Sequence, residues 1–548
     1  MISIDQNCHS LWDVVPKLHA IAAAGRAVTH LVEDIDSAFT ALGSGVGDES
    51  LRLARERFHH SGGADWGAAL FYTEFLGRVP VEPRDWEPLT GLKTAALAKK
   101  LGRDVEDLYD EFSPSDNWQL VGSSFVGDRA HHRVIGDLTV RETSPHVREL
   151  LAIARRDLLR AFPSPASRQR VRDWFAREEA LVGRLLEGLA DATLPALYEQ
   201  WTRAHVPDAV RLDRTSRRFA CAPAAGQTPP TGLRLLDVFL TDYPRAAALY
   251  NEAIEQTGQR LRPLATKEGE LPFFATRTRA GRLVRTGLYL DGGNVRIGER
   301  VVRLPRAFAD LPGALAEAGV HCVAGKAAVL VTQVRMEPGG EPLALPYRGS
   351  LYMPAAHAFA QKLIGAGLLP GPVQPVLRVR LRLLDRLRRL ETPLRLPAHL
   401  AAAMGAEEVP ARALGEHHAD LAAAAAERLR GFRDEAARRR WQEQTFPDTA
   451  AEIAGLDRRR RELARRDPKD PELRAVWKRS RALETELLEQ TVRQIDRDTQ
   501  VAELDYYDSR GAILPWCIAL GGEAFYNAVV ADAEIYEETG GLEGPNHE

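Results

Sequence analysis

The first 230 residues place apolar side chains mainly with the period of an amphipathic helix. Apolar residues recur every three or four positions in residues 51–58, 147–162 and 168–190, which predicts helices there. The prolines of AFPSPAS separate the last two segments. The stretch CAPAAGQTPPTG fits neither a helix nor a strand, so we place a domain boundary near residues 220–232. Residues 1–230 are therefore expected to form a mostly helical N-terminal region.

After that boundary the pattern changes to strands and helices in alternation, which is typical of an α/β fold. GLRLLDVFLTDYP predicts a buried strand, RAAALYNEAIEQTG a helix that ends at Gly258, and KAAVLVTQVRM a second buried strand. Between them, at about residues 266–306, short alternating runs are separated by RAGR, DGGN and IGER, whose glycines allow positive φ. We expect a small antiparallel β-meander in this segment.

A third pattern begins after residue 400. Residues 411–500 are rich in Arg, Glu, Ala and Leu, and apolar residues recur at spacings of three, four and seven on both sides of RRDPKDPE. This spacing predicts an antiparallel two-helix coiled coil whose tip is the turn from Pro468 to Pro471. Its predicted seam includes Leu473, Val476, Leu483 and Leu487. We place the helical coiled coil at residues 401–510 and a C-terminal segment that returns to the core at 511–548.

Composition narrows the possible environments and partners. The 73 Lys and Arg nearly balance the 76 Asp and Glu, so the net charge of −3 does not indicate a nucleic-acid partner and requires any basic site to be local. No run of about 18 apolar residues occurs, so no membrane span is expected. The four cysteines show no CxxC or framework spacing. They predict reduced thiols in a cytoplasmic protein.

The order of these segments resembles the bacillithiol-biosynthesis cysteine ligases over residues 231–530. The resemblance rests on YNEAI, LPFF, VTQVRM, the helix HAFAQKLIGAG, the PVQP turn and the closing block DYYDSRGAILPWCIALGGEAFYN. The chain departs from the family pattern at Val376, where family members carry an arginine. The resemblance implies a Rossmann-like core at residues 231–400 and a coiled coil that pairs two subunits into a homodimer.

The resemblance also implies a ligase that joins an amine-bearing amino acid to a carboxylate- or sugar-bearing small molecule. We expect its pocket at the carboxyl edge of the core sheet, lined by Arg335, Arg348, Tyr352 and His357. Arginine suits bidentate binding of a carboxylate, and tyrosine can position an amine. The residues assign neither a catalytic group nor a cofactor. The alternative is a non-catalytic scaffold whose coiled coil recruits a partner, and Leu483→Asp is then expected to disrupt dimers or partner capture.

The segment PVLRVRLRLLDRLRRL fits two periods. It alternates as a strand, yet its leucines and arginines also form helical stripes. In the family, the PVxP turn leads into a helix, so we predict a helix here with a solvated arginine stripe, and contact with an anionic ligand or RNA is the alternative. The stripe consists of Arg378, Arg382, Arg386 and Arg389.

Other motifs favour structural over catalytic interpretations. HHRVIGDL, with His131, His132 and Asp137, is similar to the HHxxxDG motif of condensation enzymes, but its aspartate is shifted by one residue. A general base needs its partner within hydrogen-bond distance, so we predict a structural role. Adjacent histidines at 59–60 and 417–418 diverge on a helix or strand, so no metal site is expected.

Overall fold

The computed structural model describes residues 1–4, 11–39, 51–55, 71–72, 74–79, 81, 83–112, 117–122, 132–222, 233–259, 261–336, 340–348, 352–508 and 513–538. The strands are β1 Ile2–Ile4, β2 Val28–Val32, β3 Ser37–Phe39, β4 Leu51–Arg55, β5 Phe71–Tyr72, β6 Asn117–Gly122, β7 His132–Val134, β8 Val210–Arg214, β9 Glu270–Arg279, β10 Arg282–Asp291, β11 Asn294–Ile297, β12 Arg300–Arg303, β13 Val320–Gly325, β14 Leu343–Pro346, β15 Val376–Arg380, β16 Pro393–Arg395, β17 Glu408–Pro410 and β18 Glu534–Glu537.

The α-helices are α1 Leu11–Ala23, α2 Glu87–Thr90, α3 Thr94–Leu101, α4 Val105–Phe112, α5 Val140–Ala161, α6 Pro165–Gly188, α7 Leu194–His205, α8 Thr215–Arg218, α9 Arg234–Thr241, α10 Tyr243–Thr257, α11 Leu311–Glu317, α12 Ala327–Arg335, α13 Met353–Gly365, α14 Leu383–Arg386, α15 Ala398–Met404, α16 Ala411–Phe432, α17 Glu435–Thr445, α18 Pro447–Arg466, α19 Glu472–Ala502, α20 Ile513–Gly521 and α21 Glu523–Ala531.

A six-stranded sheet lies at the centre of the α/β fold, in the order β18-β15-β14-β1-β2-β8. Five of its strands are parallel, and only β18 runs antiparallel. Apolar side chains on one face of the sheet pack against α1, and those on the other face pack against α12 and α13. Parallel sheets generally require cover on both faces. The arrangement therefore buries most side chains of the central strands.

The predicted meander is confirmed. Strands β9 to β12 are antiparallel neighbours in a second sheet, which β3, β7 and β13 complete. The DGGN turn joins β10 to β11 with Gly292 at φ 53° and Gly293 at φ 83°. Only glycine adopts this backbone without strain. The glycine pair thus sets the register in which Asp291 faces Asn294.

Long amphipathic segments were predicted correctly, whereas several short apolar runs were not. The predicted helices at 147–162 and 168–190 are confirmed as α5 and α6, and the helix that ends at Gly258 is α10. The strands predicted in GLRLLDVFLTDYP and KAAVLVTQVRM are wrong, because these segments form α9 and α12. The helix predicted at 51–58 is also wrong, since Leu51–Arg55 is strand β4. A short apolar run fits the period of a helix and that of a strand equally well. Its packing against other parts of the fold therefore decides which structure it forms.

The first 230 residues contribute more strand than predicted. Strands β1, β2 and β8 from this region share the central sheet with β14 and β15. Most of the predicted domain boundary, residues 223–232, lies outside the described residues. The domain limits therefore stay a prediction.

The helix predicted at residues 376–390 is wrong in its first part. Val376–Arg380 forms β15 between β14 and β18, and a short helix begins only at Leu383. The arginines are not a solvated stripe, because three of the four form ion pairs with acids in or beside β18. These pairs are Arg378 with Glu538, Arg382 with Glu534, and Arg386 with Asp532. The arginines therefore hold the C-terminal strand at the edge of the central sheet.

Helices α18 and α19 form an antiparallel pair joined by the predicted turn at residues 467–471. Ion pairs Arg459–Glu472 and Arg479–Glu452 cross between the two helices. Leu483 is 4% exposed, so it is already buried within a single chain. Replacing it with aspartate would disturb this helix pair directly and is unsuitable as a test of dimer formation.

Among the described residues, no helix is long and apolar enough to cross a membrane.

Candidate functional site

A group of charged side chains surrounds Glu538 on the face of the central sheet that α13 covers. Arg378 projects from β15 and donates from Nε to Glu538 Oε2 at 2.9 Å. His357, in α13, places Nε2 3.6 Å from Glu538 Oε1, longer than a hydrogen bond. Arg335, the last residue of α12, contributes a second buried guanidinium whose charge interacts with Glu538. We call these four residues the Glu538 cluster.

The protonation of Glu538 is dominated by its cationic neighbours. Burial raises the pKa of this carboxyl, but His357 and Arg378 outweigh burial and lower the pKa to about 2. Burial lowers the pKa of Arg335 to about 10, with Glu538 acting in the opposite direction. At neutral pH, the Glu538 carboxylate therefore pairs with the buried Arg378 guanidinium, and its charge also acts on Arg335.

Arg335 uses only part of its hydrogen-bonding capacity. Its side chain is 3% exposed, and Nε donates to the Gln374 carbonyl oxygen at 2.5 Å. Its Nη1 is buried and has no hydrogen-bond partner among the residues that the structure describes. A buried charged donor without an acceptor is costly. An anionic group would supply the acceptor that Nη1 lacks, and the planar fork of a guanidinium is suited to a carboxylate.

Arg348, which we expected beside Arg335, lies in a different group of side chains. It follows β14 and donates from Nη2 to Asp505 Oδ1 at 2.6 Å, and Glu503 lies 3.4 Å from its Nη1. Tyr347 donates to the same aspartate at 3.1 Å. Acids from the segment after α19 therefore neutralise Arg348.

The four predicted pocket residues occupy different places. His357 lies 3.6 Å from Glu538, and Arg335 interacts with Glu538 only through its charge, whereas Arg348 binds Asp505. Tyr352 lies at the N-cap of α13 and packs against the apolar cluster of β1 and β14. Because Arg335 contacts Gln374, just before β15, it lies at the amino end of that strand. Arg348 follows the carboxyl end of β14.

A second acidic group, missed by sequence analysis, follows β2. Glu33 Oε1 accepts from the backbone N–H groups of Ile35 at 2.7 Å and Asp36 at 3.0 Å, and Oε2 accepts from the Thr215 hydroxyl at 3.1 Å. Asp34 accepts from the backbone and hydroxyl of a serine after β8, Ser216. The available signal was VEDID, three acids directly after a buried strand. Such positions meet at the carboxyl edge of a parallel sheet.

Glu33 holds its proton at neutral pH. Burial, reinforced by the neighbouring charges of Asp36 and Asp34, raises the pKa of this carboxyl to about 8. The group can therefore donate a proton near neutrality, as general acids do. Asp36 forms an ion pair with Arg285 of β10 at 2.6 Å, which connects this edge to the second sheet.

We expect Glu33→Gln to change how stability depends on pH. Between about pH 4.5 and 8 the folded protein keeps a proton that the unfolded chain has released, so the free energy of unfolding falls as pH rises. Glutamine cannot titrate, and its amide can keep the contacts with Ile35, Asp36 and Thr215. The free energy of unfolding of the variant should equal that of wild type near pH 5. At higher pH it should exceed the wild-type value by a growing amount, up to about 1.4 kcal/mol per pH unit.

Urea unfolding at several pH values from 5 to 9 measures this effect. Glu268→Gln, at an exposed glutamate outside this acidic group, is the control. A stability difference between Glu33→Gln and wild type that stays constant over this range would contradict the assignment.

The structure describes some of the residues in the remaining motifs. Asp137 accepts from Arg133 at 2.5 Å and from the backbone N–H of Leu283 at 2.8 Å, so it anchors a loop. His131 and the pair at 59–60 lie outside the described residues. His418 contacts the Gly415 carbonyl oxygen at 3.0 Å. Within the described ranges, no group of three His, Cys, Asp or Glu side chains could hold a metal ion.

Comparison of the chain with protein-family models, with curated proteins and with solved structures found no match.

Proposed function

We propose that the chain is an α/β enzyme of the cysteine-ligase type, which binds a carboxylate-bearing small molecule and joins it to an amine. The observation that carries the proposal is the buried Nη1 of Arg335, which has no acceptor among the described residues. A substrate carboxylate would supply that acceptor and balance the second guanidinium of the Glu538 cluster. Anionic recognition of this kind is what a ligase acting on amino acids requires.

The order of strands supports a Rossmann-like core for this enzyme. Numbered along the chain, the parallel strands β8-β2-β1-β14-β15 follow the order 3-2-1-4-5 of dinucleotide-binding folds. The sequence between β1 and α1, DQNCHS, contains no glycine, so the phosphate-binding fingerprint of those folds is missing. Substrate recognition is accordingly assigned to the Glu538 cluster. Free buried thiols at Cys221, Cys322 and Cys517 accord with a cytoplasmic enzyme.

We assign roles in the proposed reaction to Arg335, Tyr352 and His357. Arg335 holds the substrate carboxylate, and Tyr352, at the start of α13, positions the amine. His357 accepts a proton from the substrate ammonium, which leaves a neutral amine nitrogen able to act as a nucleophile, and Glu538 beside it stabilises the resulting imidazolium. The pocket then lies between α13 and strands β15 and β18 of the sheet, and Arg348 is excluded from it by its ion pair with Asp505.

Arg335→Gln is expected to weaken binding of small carboxylates at least tenfold, because it removes the charged fork that the ligand would meet. Arg348→Gln is the matched control and should leave affinity unchanged, since Asp505 already occupies that guanidinium. Isothermal titration with malate and with cysteine measures both variants. A complete substrate panel containing cysteine and nucleotides then tests turnover.

Two outcomes would contradict this assignment. One is equal affinity of wild type and Arg335→Gln for every carboxylate that binds. The other is a loss in Arg348→Gln as large as that in Arg335→Gln. Arg335→Lys, which keeps the charge and removes the fork, separates loss of binding from loss of folding.

The alternative proposal is a scaffold whose coiled coil, formed by α18 and α19, recruits a partner or a second subunit. It is favoured by Trp477, a large apolar side chain that is 46% exposed on α19. Isolated exposed apolar residues are common, but an exposed tryptophan on a projecting helix pair is suited to an interface.

A further inference from the structure

The tip of the α18–α19 helix pair has a charge unlike that of the whole chain. Residues 457–481 contain eleven Lys and Arg against five Asp and Glu, although the complete chain is nearly neutral. Most of these side chains are exposed. A local excess of positive charge of this size attracts polyanions and is screened by salt.

Three of the five acids at the tip form ion pairs within the chain. Glu472 binds Arg459 of the opposite helix, and Asp470 binds Arg466. Arg474 and Lys478 are exposed, and no described residue forms an ion pair with either. Two uncompensated cations therefore remain on α19 in this region.

Trp477 lies on the same face of α19 as Arg474 and Arg481. Arg474 and Arg481 are three positions before and four positions after it, and such spacings place side chains on one helical face. The Arg481 guanidinium lies 5.9 Å from the Trp477 ring centroid, and Glu484 pairs with Arg481 at 3.0 Å. The buried side of α19, at Val476 and Leu483, faces α18 instead. Trp477 therefore presents its ring outward, between positive charges.

We infer that this face, formed by Arg474, Trp477, Lys478 and Arg481, binds a single-stranded nucleic acid. Cations would contact successive phosphates, and the exposed indole would stack on a base. A second copy of the chain fits less well, because a two-fold interface brings the same patch against itself and would oppose like charges. The charge of the face thus favours a polyanion.

Fluorescence anisotropy of the full chain with a short labelled single-stranded RNA tests this inference, with single-stranded DNA and duplex RNA as further arms. We expect salt-sensitive binding of both single strands that exceeds binding of the duplex. Combined replacement of Arg474, Lys478 and Arg481 by Gln should lower the slope of log affinity against log salt by about 2. Trp477→Ala should weaken binding roughly tenfold.

The matched control removes equal charge from the outward face of α18 through Arg458→Gln, Arg461→Gln and Arg465→Gln. It should affect binding far less than the α19 variant. Trp477→Phe keeps an aromatic ring at this position and serves as a second probe, because quenching of tryptophan fluorescence by RNA should be largest in wild type.

Three results would overturn the inference. The first is the absence of salt-dependent binding by wild type at low ionic strength. The second is an equal loss in the α18 and α19 variants, which would indicate only a general charge effect. The third is a wild-type protein that binds no nucleic acid and whose mass, measured by light scattering, exceeds that of a monomer and falls in Trp477→Ala. That result would assign the face to contact with a second copy of the chain.

Discussion

Replacement of Arg133 by methionine is expected to destabilise the protein by about 3 to 5 kcal/mol, the usual cost of removing one partner from a buried ion pair. Arg133 is 0% exposed and donates to both oxygens of Glu142 at 2.8 Å and to Asp137 at 2.5 Å. Burial raises the pKa of Glu142, but Arg133 outweighs burial and lowers it. Without the guanidinium, the two carboxylates would lose their shared cation.

The same substitution also disturbs the start of α5. Glu142 belongs to the capping box of that helix, in which the Thr139 hydroxyl accepts from the Glu142 backbone. Urea denaturation measures the loss of stability. Arg282→Met is the control, because Arg282 is partly exposed and lies 3.6 Å from Asp137, and it should cost under about 1 kcal/mol. Equal midpoints for Arg133→Met and Arg282→Met would refute the expectation.

Glu178→Leu should cost about 2 to 5 kcal/mol, because this one carboxylate joins three helices. Glu178 of α6 is 3% exposed and accepts from the indole N–H groups of Trp201 at 2.6 Å and Trp12 at 3.3 Å, while His205 Nε2 lies 3.1 Å away. Leucine removes the acceptor from both indoles, and each buried donor that loses its partner costs about 1 to 3 kcal/mol.

Glu178→Gln keeps one acceptor oxygen and should cost distinctly less than leucine. Glu179→Leu, at the next position of the same helix, is a control for helix propensity and loss of charge. Glu179 forms only a partly exposed ion pair with Arg155, which contributes little. Thermal unfolding with near-ultraviolet circular dichroism follows the tryptophans directly. The interpretation fails if the leucine variants at 178 and 179 unfold at the same temperature.

Features of the fold that depend on residues close to one another in the sequence could be predicted. In helices α5 and α6 the helical period of apolar residues continues over a stretch too long for a strand. Gly292 and Gly293 identify the hairpin of the meander. The strand β15 could not be recognised, because the position of Arg378 depends on Glu538, 160 residues away. A buried arginine in a strand resembles a solvated one until its partner is known.

The candidate site was predictable to the same limited degree. Residue chemistry pointed to Arg335 and His357, but the carboxylate that acts on both comes from the segment after β18. Arg348 has the same chemistry as Arg335 and was indistinguishable from it in sequence, and only the position of Asp505 separates their roles. Glu33 was missed because an acid after a strand is usually solvated, and its burial arises from elements that close over it.

The position of β1 in the central sheet has a consequence for synthesis of the protein. Ile2–Ile4 pairs on one side with β2, which follows closely, and on the other with β14 at Leu343–Pro346. At about 5 to 20 residues per second, a ribosome needs roughly 20 to 70 s to add the residues between these two strands. During that interval one edge of β1 has no partner strand, and exposed edges promote aggregation. Completion of the sheet therefore has to wait until most of the chain has left the ribosome.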